Sequence, residues 1–433
     1  MQDISEIFQL HIPESPEIIV FSEYTSNRLI YVLDFICKRV WQKNYIITQD
    51  IETFKHSDKI KINYSDRFIE NAVNVYPLNL LNGTGIDKNY HLHFEVLQPQ
   101  YYHKDIFSEV FYFISRYEEW QNNYTKDTHQ RFEINASIFK DQLNQPITDI
   151  AIADFKQYIQ KHYPSFEPKL FYKEILTFDL DNILAFKGKG WIRSIAALLK
   201  HLLKAEYRFL NERIKTLLQN KPDPLEEVYI SIEQLSQKYP IIFFILCRSD
   251  TSFDRAASVN HPQTMRVLNQ LKNFAHIGLH PSYYSMHDID IIQKEKSSLE
   301  NVIHQKIVAS RQHYLRTDIA RTPKLLIQSG IQYDFTMGFA SARGGFRAGT
   351  AFPFYYYDFD AEQITRLLFV PFCVMDGAYF NYSQTSIKDA TESIRYIKKQ
   401  IQQTGGYFIP LFHEMTLCPL FQIDAEEWRS VLG

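Results

Sequence analysis

Two textures of hydrophobic patterning divide the chain. Up to about residue 165, short apolar runs alternate with stretches whose apolar residues recur at helical spacing. Glu17 to Phe21 reads as a strand, Asn27 to Val40 as a helix, and Asp105 to Trp120, rich in Phe, Tyr and Ile, as a single helix after a turn signal at Asn82-Gly83-Thr84-Gly85. Two prolines in Tyr163-Pro164-Ser165-Phe166-Glu167-Pro168 interrupt this pattern and place a boundary between a unit 1–168 and a unit 169–433. Beyond it come short runs that read as buried strands, at Glu174–Asp181, Ile241–Cys247, His276–His280, Lys306–Gln312, Leu367–Phe372 and Tyr407–His413, each followed by a longer helical pattern. That alternation predicts an α/β fold with parallel strands and helical crossovers, either an open doubly wound sheet or a barrel. Polar residues gather at the C-terminal end of each run, where both architectures build their sites.

Composition narrows the function classes. Lys plus Arg is 47 against 50 Asp plus Glu, a net charge of -3, so the basic excess of a dedicated nucleic-acid binder is missing. The four cysteines are far apart, which signals neither a zinc knuckle nor a disulfide framework and fits a reducing compartment. The N-terminal stretch lacks the positive charge of a signal peptide, and the apolar run Ile241–Leu246 is far short of the roughly 20 residues that span a bilayer. The expectation is a cytoplasmic protein.

Candidate chemistry sits at four strand ends, with a supporting residue at a fifth. In Leu176-Thr177-Phe178-Asp179-Leu180-Asp181, a period of two directs both carboxylates to one face, where they need a cation or a shared proton. One acid can bind metal while the other acts as a base, although an Asx turn and a helix cap would also use this spacing. His276-Ile277-Gly278-Leu279-His280 is a strand rather than a helix, so its histidines stand roughly 13 Å apart. His280, next to a turn, is the candidate ligand, and His276 is structural. Arg311 and His313 share a face, Arg311 is suited to pair with Asp179, and Arg316 is read as solvated. His413 closes the last buried run as a candidate general acid, and Asp376 closes another as a supporting or substrate contact.

In their order and spacing, Thr177-Phe178-Asp179-Leu180-Asp181, His276-Ile277-Gly278-Leu279-His280-Pro281-Ser282, Ser310-Arg311-Gln312-His313 and Leu411-Phe412-His413 resemble the successive motifs of the NodB-like polysaccharide deacetylases, carbohydrate esterase family 4. The likeness covers about residues 170 to 433. Gly344-Gly345-Phe346-Arg347-Ala348-Gly349-Thr350, Arg116-Tyr117-Glu118-Glu119-Trp120 and Arg131-Phe132 resemble a bacterial subgroup with an uncharacterised domain in front. The resemblance implies a distorted (β/α)7-type barrel preceded by a smaller α/β domain, and metal-dependent hydrolysis of N-acetyl groups on a glycan. It implies Asp179 as the base, Asp181 and His280 as metal ligands, Arg311 as the orienter of the base and His413 as the acid.

The chain departs from that pattern at Tyr284, where the family carries its second metal histidine, and at Gln312-His313-Tyr314, where prolines follow the arginine. His313 from the neighbouring strand end, or His287 from the following loop, can supply the missing nitrogen to a divalent metal, zinc first. A metal-free hydrolase and a catalytically silent glycan-binding protein are the alternatives. Between the first two motifs, Trp191 to Asn220 reads as a helical insertion with Trp191, Ile195, Leu198, Leu202 and Phe209 on one side. Arg193, Lys200, Lys204, Arg208 and Lys215 form a basic stripe on another, either a solvated face or a contact for anionic lipid or a lipid-linked sugar. Of the 28 Tyr and 33 Phe, Tyr283, Tyr284 and Phe354 to Tyr357 are candidates for stacking on a sugar.

Overall fold

The computed structural model describes residues 3–189, 191–219, 221–247, 251–340, 344–379 and 385–432, with the backbone alone at 191–193. Four parallel strands form the first sheet in the order β2-β1-β3-β4: β1 (Ile18–Ser22), β2 (Tyr45–Thr48), β3 (Ile60–Tyr64) and β4 (Val73–Val75). The helix begun at Asn27, capped by the Ser26 hydroxyl, runs as an α-helix to Leu33 and widens to a π-helix over Asp34–Val40. Asp105 to Trp120 is two helices, Ile106–Ile114 and Tyr117–Gln121, because Arg116 between them takes a left-handed conformation (φ 58°). That turn swings its guanidinium inward to Glu118 and Glu119.

β5 (Tyr172–Glu174) pairs with β14 (Gly406–Phe408) in a two-stranded sheet. Nine strands make the main sheet: β6 (Leu176–Leu180), β7 (Ile241–Leu246), β8 (His276–His280), β9 (Ala309–Ser310), β10 (Tyr333–Asp334), β11 (Phe354–Asp358), β12 (Gln363–Phe369), β13 (Val374–Met375) and β15 (Pro410–His413). Their order is β11-β12-β10-β9-β8-β7-β6-β15-β13, parallel throughout except for the antiparallel β11 and β12 pair. Among the described residues no ladder joins the edges β11 and β13. β6 and β7 are buried along their whole length, as expected of parallel strands covered on both faces. Gly278 on β8 leaves room for the Phe244 ring of β7, whose Cδ1 would lie 2.6 Å from an added Cβ. The Phe244 ring in turn supports the Arg311 guanidinium, 4.5 Å away.

Residues from both sheets share one apolar core. Two of the sequence motifs meet between them. Arg347 donates through Nε and Nη2 to the two carboxylate oxygens of Glu119 (2.9 and 2.6 Å), which also accepts from Arg116 Nε (2.8 Å), all fully buried. Gly345 (φ +120°) lies so close to Leu143 that an added Cβ would stand 2.3 Å from its carbonyl oxygen.

The insertion folds as two helices, Trp191–Leu203 and Tyr207–Leu218. Asn220 and the side chains of Trp191 and Arg193 lie outside the described residues. Contrary to the apolar spacing, Ile195 and Leu202 are exposed, and the packed side carries Ser194, Ala197, Leu198 and His201. No described helix is long and apolar enough to cross a membrane.

Candidate active site and metal centre

Parallel pairing brings the C-terminal ends of β9, β8, β6, β15 and β13 to one rim of the sheet. Asp179 is in register with His413 on β15 and Phe244 on β7, and Leu279 of β8 with Ser310 of β9. A cavity of about 580 Å³ opens there, lined by Asp179, Asp181, His280, His313 and His413 among others. Alternation on β6 points Thr177 and Asp179 to the side that holds Arg311. Arg311 donates through Nη1 to Asp179 Oδ1 (2.7 Å), through Nη2 to Thr177 Oγ1 (2.8 Å) and through Nε to the Phe335 carbonyl (3.1 Å). Burial works to raise the Asp179 carboxyl, but Arg311, His280 and His413 hold it below the ordinary carboxylate value, so it is ionised.

Three side chains beside Asp179 form a ligand set. His280 donates from Nδ1 to the Arg311 carbonyl (2.5 Å), and His313 donates from Nδ1 to Asp254 Oδ1 (2.8 Å). In the neutral ring each hydrogen bond places the proton on Nδ1 and leaves Nε2 with a lone pair. Both Nε2 atoms are 3.6 Å from Asp181 Oδ1, too far for hydrogen bonds. Two ligands at ~2.0–2.1 Å from one tetrahedral zinc ion stand about 3.4 Å apart. Asp181 Oδ1 is itself a buried atom with no hydrogen-bond partner among the described residues. Asp181, His280 and His313, with donor atoms within 4.8 Å of one another, therefore fit a divalent cation. Burial lowers His280 against the pull of Asp179 and Asp181, which keeps the ring neutral, as a ligand must be. His287 is not in this group, and Tyr284 is half exposed to solvent.

Across the cavity, Asp376 grips His413 twice: Oδ1 faces Nδ1 at 2.6 Å and Oδ2 accepts the backbone N–H at 2.7 Å. Burial alone would lower the imidazole, but Asp376, with Asp181 and Asp179 behind it, raises it well above the ordinary histidine value. His413 is thus a cation that can give up a proton. Glu414 beside it is buried, accepts from the Asn182 N–H (3.0 Å), and is pushed up to about 8 by burial and by Asp181.

The turn that carries His313 is held from the N-terminal part of the chain. Tyr314 and Leu315 both have positive φ (58° and 55°), which costs of order 1 kcal/mol or more for each such residue. Arg131 Nη1 donates to the Tyr314 carbonyl (2.9 Å), and Arg316 Nε donates back to the His129 carbonyl (2.9 Å). Arg316 also donates to the Tyr283 carbonyl and stacks on the Tyr283 ring at 3.9 Å. It is buried rather than solvated, because the N-terminal segment covers it.

The expected aromatic contacts are corrected as well. Phe354 to Tyr357 form the edge strand β11, where Tyr357 packs on Tyr31 and Phe111, and Tyr283 stacks on Phe253. The rings that line the cavity are Phe253, Tyr314 and Phe421. Sequence reasoning missed Asp254, Arg131 and Glu414. Asp254 stands beyond the end of β7 (Leu246) rather than at it, so the end of that apolar run does not point to it.

Residues 18–164 match a family of unknown function, DUF7033. No curated protein matches the chain. Among solved structures, a polysaccharide deacetylase from Mycobacterium smegmatis is 15% identical with a TM-score of 0.38, over 61% of this chain and 84% of that one. One from Bacillus cereus is 10% identical with a TM-score of 0.30, over 60% and 85%. One from Pseudomonas aeruginosa PAO1 is 12% identical with a TM-score of 0.39, over 60% and 83%. At this level of likeness the chemistry has to be read from the side chains.

Proposed function

We propose that the protein is an amide hydrolase that removes N-acetyl groups from a glycan, with zinc or a similar divalent ion held by Asp181, His280 and His313. The observation that carries this reading is the convergence, in one cavity, of an ionised carboxylate, a cationic imidazole and three ligand atoms within 4.8 Å of one another, of which Asp181 Oδ1 is buried without a hydrogen-bond partner among the described residues. A bound divalent ion supplies polarisation of the amide carbonyl and a lowered pKa for water. Asp179, fixed by Arg311, accepts the proton of the attacking water. His413, fixed by Asp376, gives its proton to the departing amine as the C–N bond breaks, so that acetate and a free amino sugar are released. The reading also assigns residues 169–433 to a distorted (β/α) barrel with the unit 1–168 packed on it, and places the protein in the cytoplasm.

The test is acetate release from N-acetylated oligosaccharides by the full chain with zinc or cobalt added. Loss of at least about a hundredfold in Asp179→Asn supports the reading. Equal rates in wild type and variant overturn it and leave a glycan-binding protein on the same fold.

A further inference from the structure

The helix Trp191–Leu203 leaves a stripe of apolar side chains in solvent. An amphipathic helix on a folded protein turns its apolar stripe to the core. Here Ile195, Leu199, Leu202 and Leu203, at the i, i+4, i+7 and i+8 positions of one stripe, are 49%, 55%, 54% and 87% exposed. Tyr207, at the start of the next helix, is 66% exposed. The side that packs on the protein carries Ser194, Ala197, Leu198 and His201, and His201 there donates from Nδ1 to Glu206 Oε2 (2.6 Å) and stacks on Phe209 (5.5 Å). A contiguous apolar surface of this kind marks an interaction site. Lys200, Lys204 and Arg208 are exposed beside it, so the occupant it suits is apolar at depth and anionic at its surface.

The hairpin also has a definite place relative to the cavity. Phe209 of the second helix packs on Phe421 (5.6 Å), which lines the cavity, and Arg208 donates to the Pro419 carbonyl (2.7 Å). Ile423, two residues beyond Phe421, is 87% exposed. We propose that this hairpin docks the protein on the surface of a bilayer containing anionic lipid, the apolar stripe seated among the acyl chains and the lysines at the headgroups. The mouth of the cavity then faces the headgroup layer, where a glycan carried on a lipid would present its N-acetyl groups. That last step rests on the hydrolase reading, whereas the docking itself does not.

The experiment is co-sedimentation of the full chain with vesicles of phosphatidylcholine alone or mixed equally with phosphatidylglycerol, at low and high salt. Wild type sediments with the anionic vesicles, and less at high salt. Leu199→Ser with Leu203→Ser, both on the exposed stripe, lowers partitioning by about tenfold or more. Lys200→Glu with Lys204→Glu abolishes the preference for anionic vesicles. Asp179→Ala sediments like wild type, so a failure of the hydrolase reading leaves this result standing. The proposal is overturned if wild type stays in solution with anionic vesicles at low salt, or if the leucine double variant binds as wild type does. It is equally overturned if the stripe instead holds two copies together, seen as a dimer that the leucine variant disperses and that binds no vesicles.

Discussion

Asp376→Asn tests how the site keeps a proton on His413. The substitution preserves shape but removes the charge facing Nδ1 at 2.6 Å, and one amide end can no longer accept the His413 backbone N–H that Oδ2 holds at 2.7 Å. A hydrogen bond to a charged partner is worth about 1.5–3 kcal/mol. At about 1.36 kcal/mol per pKa unit, its loss lowers the imidazole by roughly one to two units. Asp376 raises His413, so the cationic, proton-donating form is present below the raised value and lost above it. In the variant that loss sets in at lower pH, and the alkaline limb of kcat moves down by the same roughly one to two units, with little change on the acid side. The assays are the pH profile of acetate release and, independent of any substrate, titration of the His413 ring resonance in the full chain. An unchanged His413 titration in the folded variant would refute the argument, because Asp376 would then not be what holds the proton.

Three further outcomes follow from the same structure. Arg131→Ala frees the Tyr314 carbonyl and slackens the turn behind His313; zinc affinity, measured by competition with a chromophoric chelator, should fall about tenfold, with Arg131→Lys in between, and wild-type affinity in a folded Arg131→Ala protein would show that the turn holds without it. Gly345→Ala drives a Cβ to 2.3 Å from the Leu143 carbonyl at φ +120°, whereas Gly85→Ala, at φ +67°, meets nothing within 4 Å; the first should cost more than about 3 kcal/mol and the second about 1, so equal melting temperatures would remove the steric argument. Asp149, fully buried beneath Thr350 and Ala351, is raised to about 7 by burial. Between about pH 4 and that value the unfolded chain has lost a proton that the folded chain keeps, so stability falls as pH rises through this window, by up to roughly 4 kcal/mol. In denaturant unfolding, the fall in stability across this window should be smaller by that amount in Asp149→Asn, and an identical fall in both proteins would contradict it.

What was legible in the sequence depends on how far the physical cause lies from the residue. Parallel strands force their polar ends to one rim, so Asp179, Asp181, His280, Arg311 and His413 could be gathered from the ends of apolar runs alone. Period-two alternation likewise put Asp179 and Asp181 on one face, and Arg311 reaches Asp179. Asp254 is 59 positions from the His313 ring it orients, and Arg131 is 183 positions from the Tyr314 carbonyl it holds. No local pattern connects such pairs, and Arg316 looked solvated for the same reason. The break at Arg116 was invisible because its left-handed turn comes from buried partners, Glu118, Glu119 and, through Glu119, Arg347, rather than from a glycine. The helix Trp191–Leu203 shows the limit most directly. Periodicity establishes that Ile195, Leu199 and Leu202 share a face, but whether that face looks inward is decided by what the rest of the chain leaves uncovered. Here the core closes without them, so their apolar surface must find its partner outside the fold or remain in water at a standing cost.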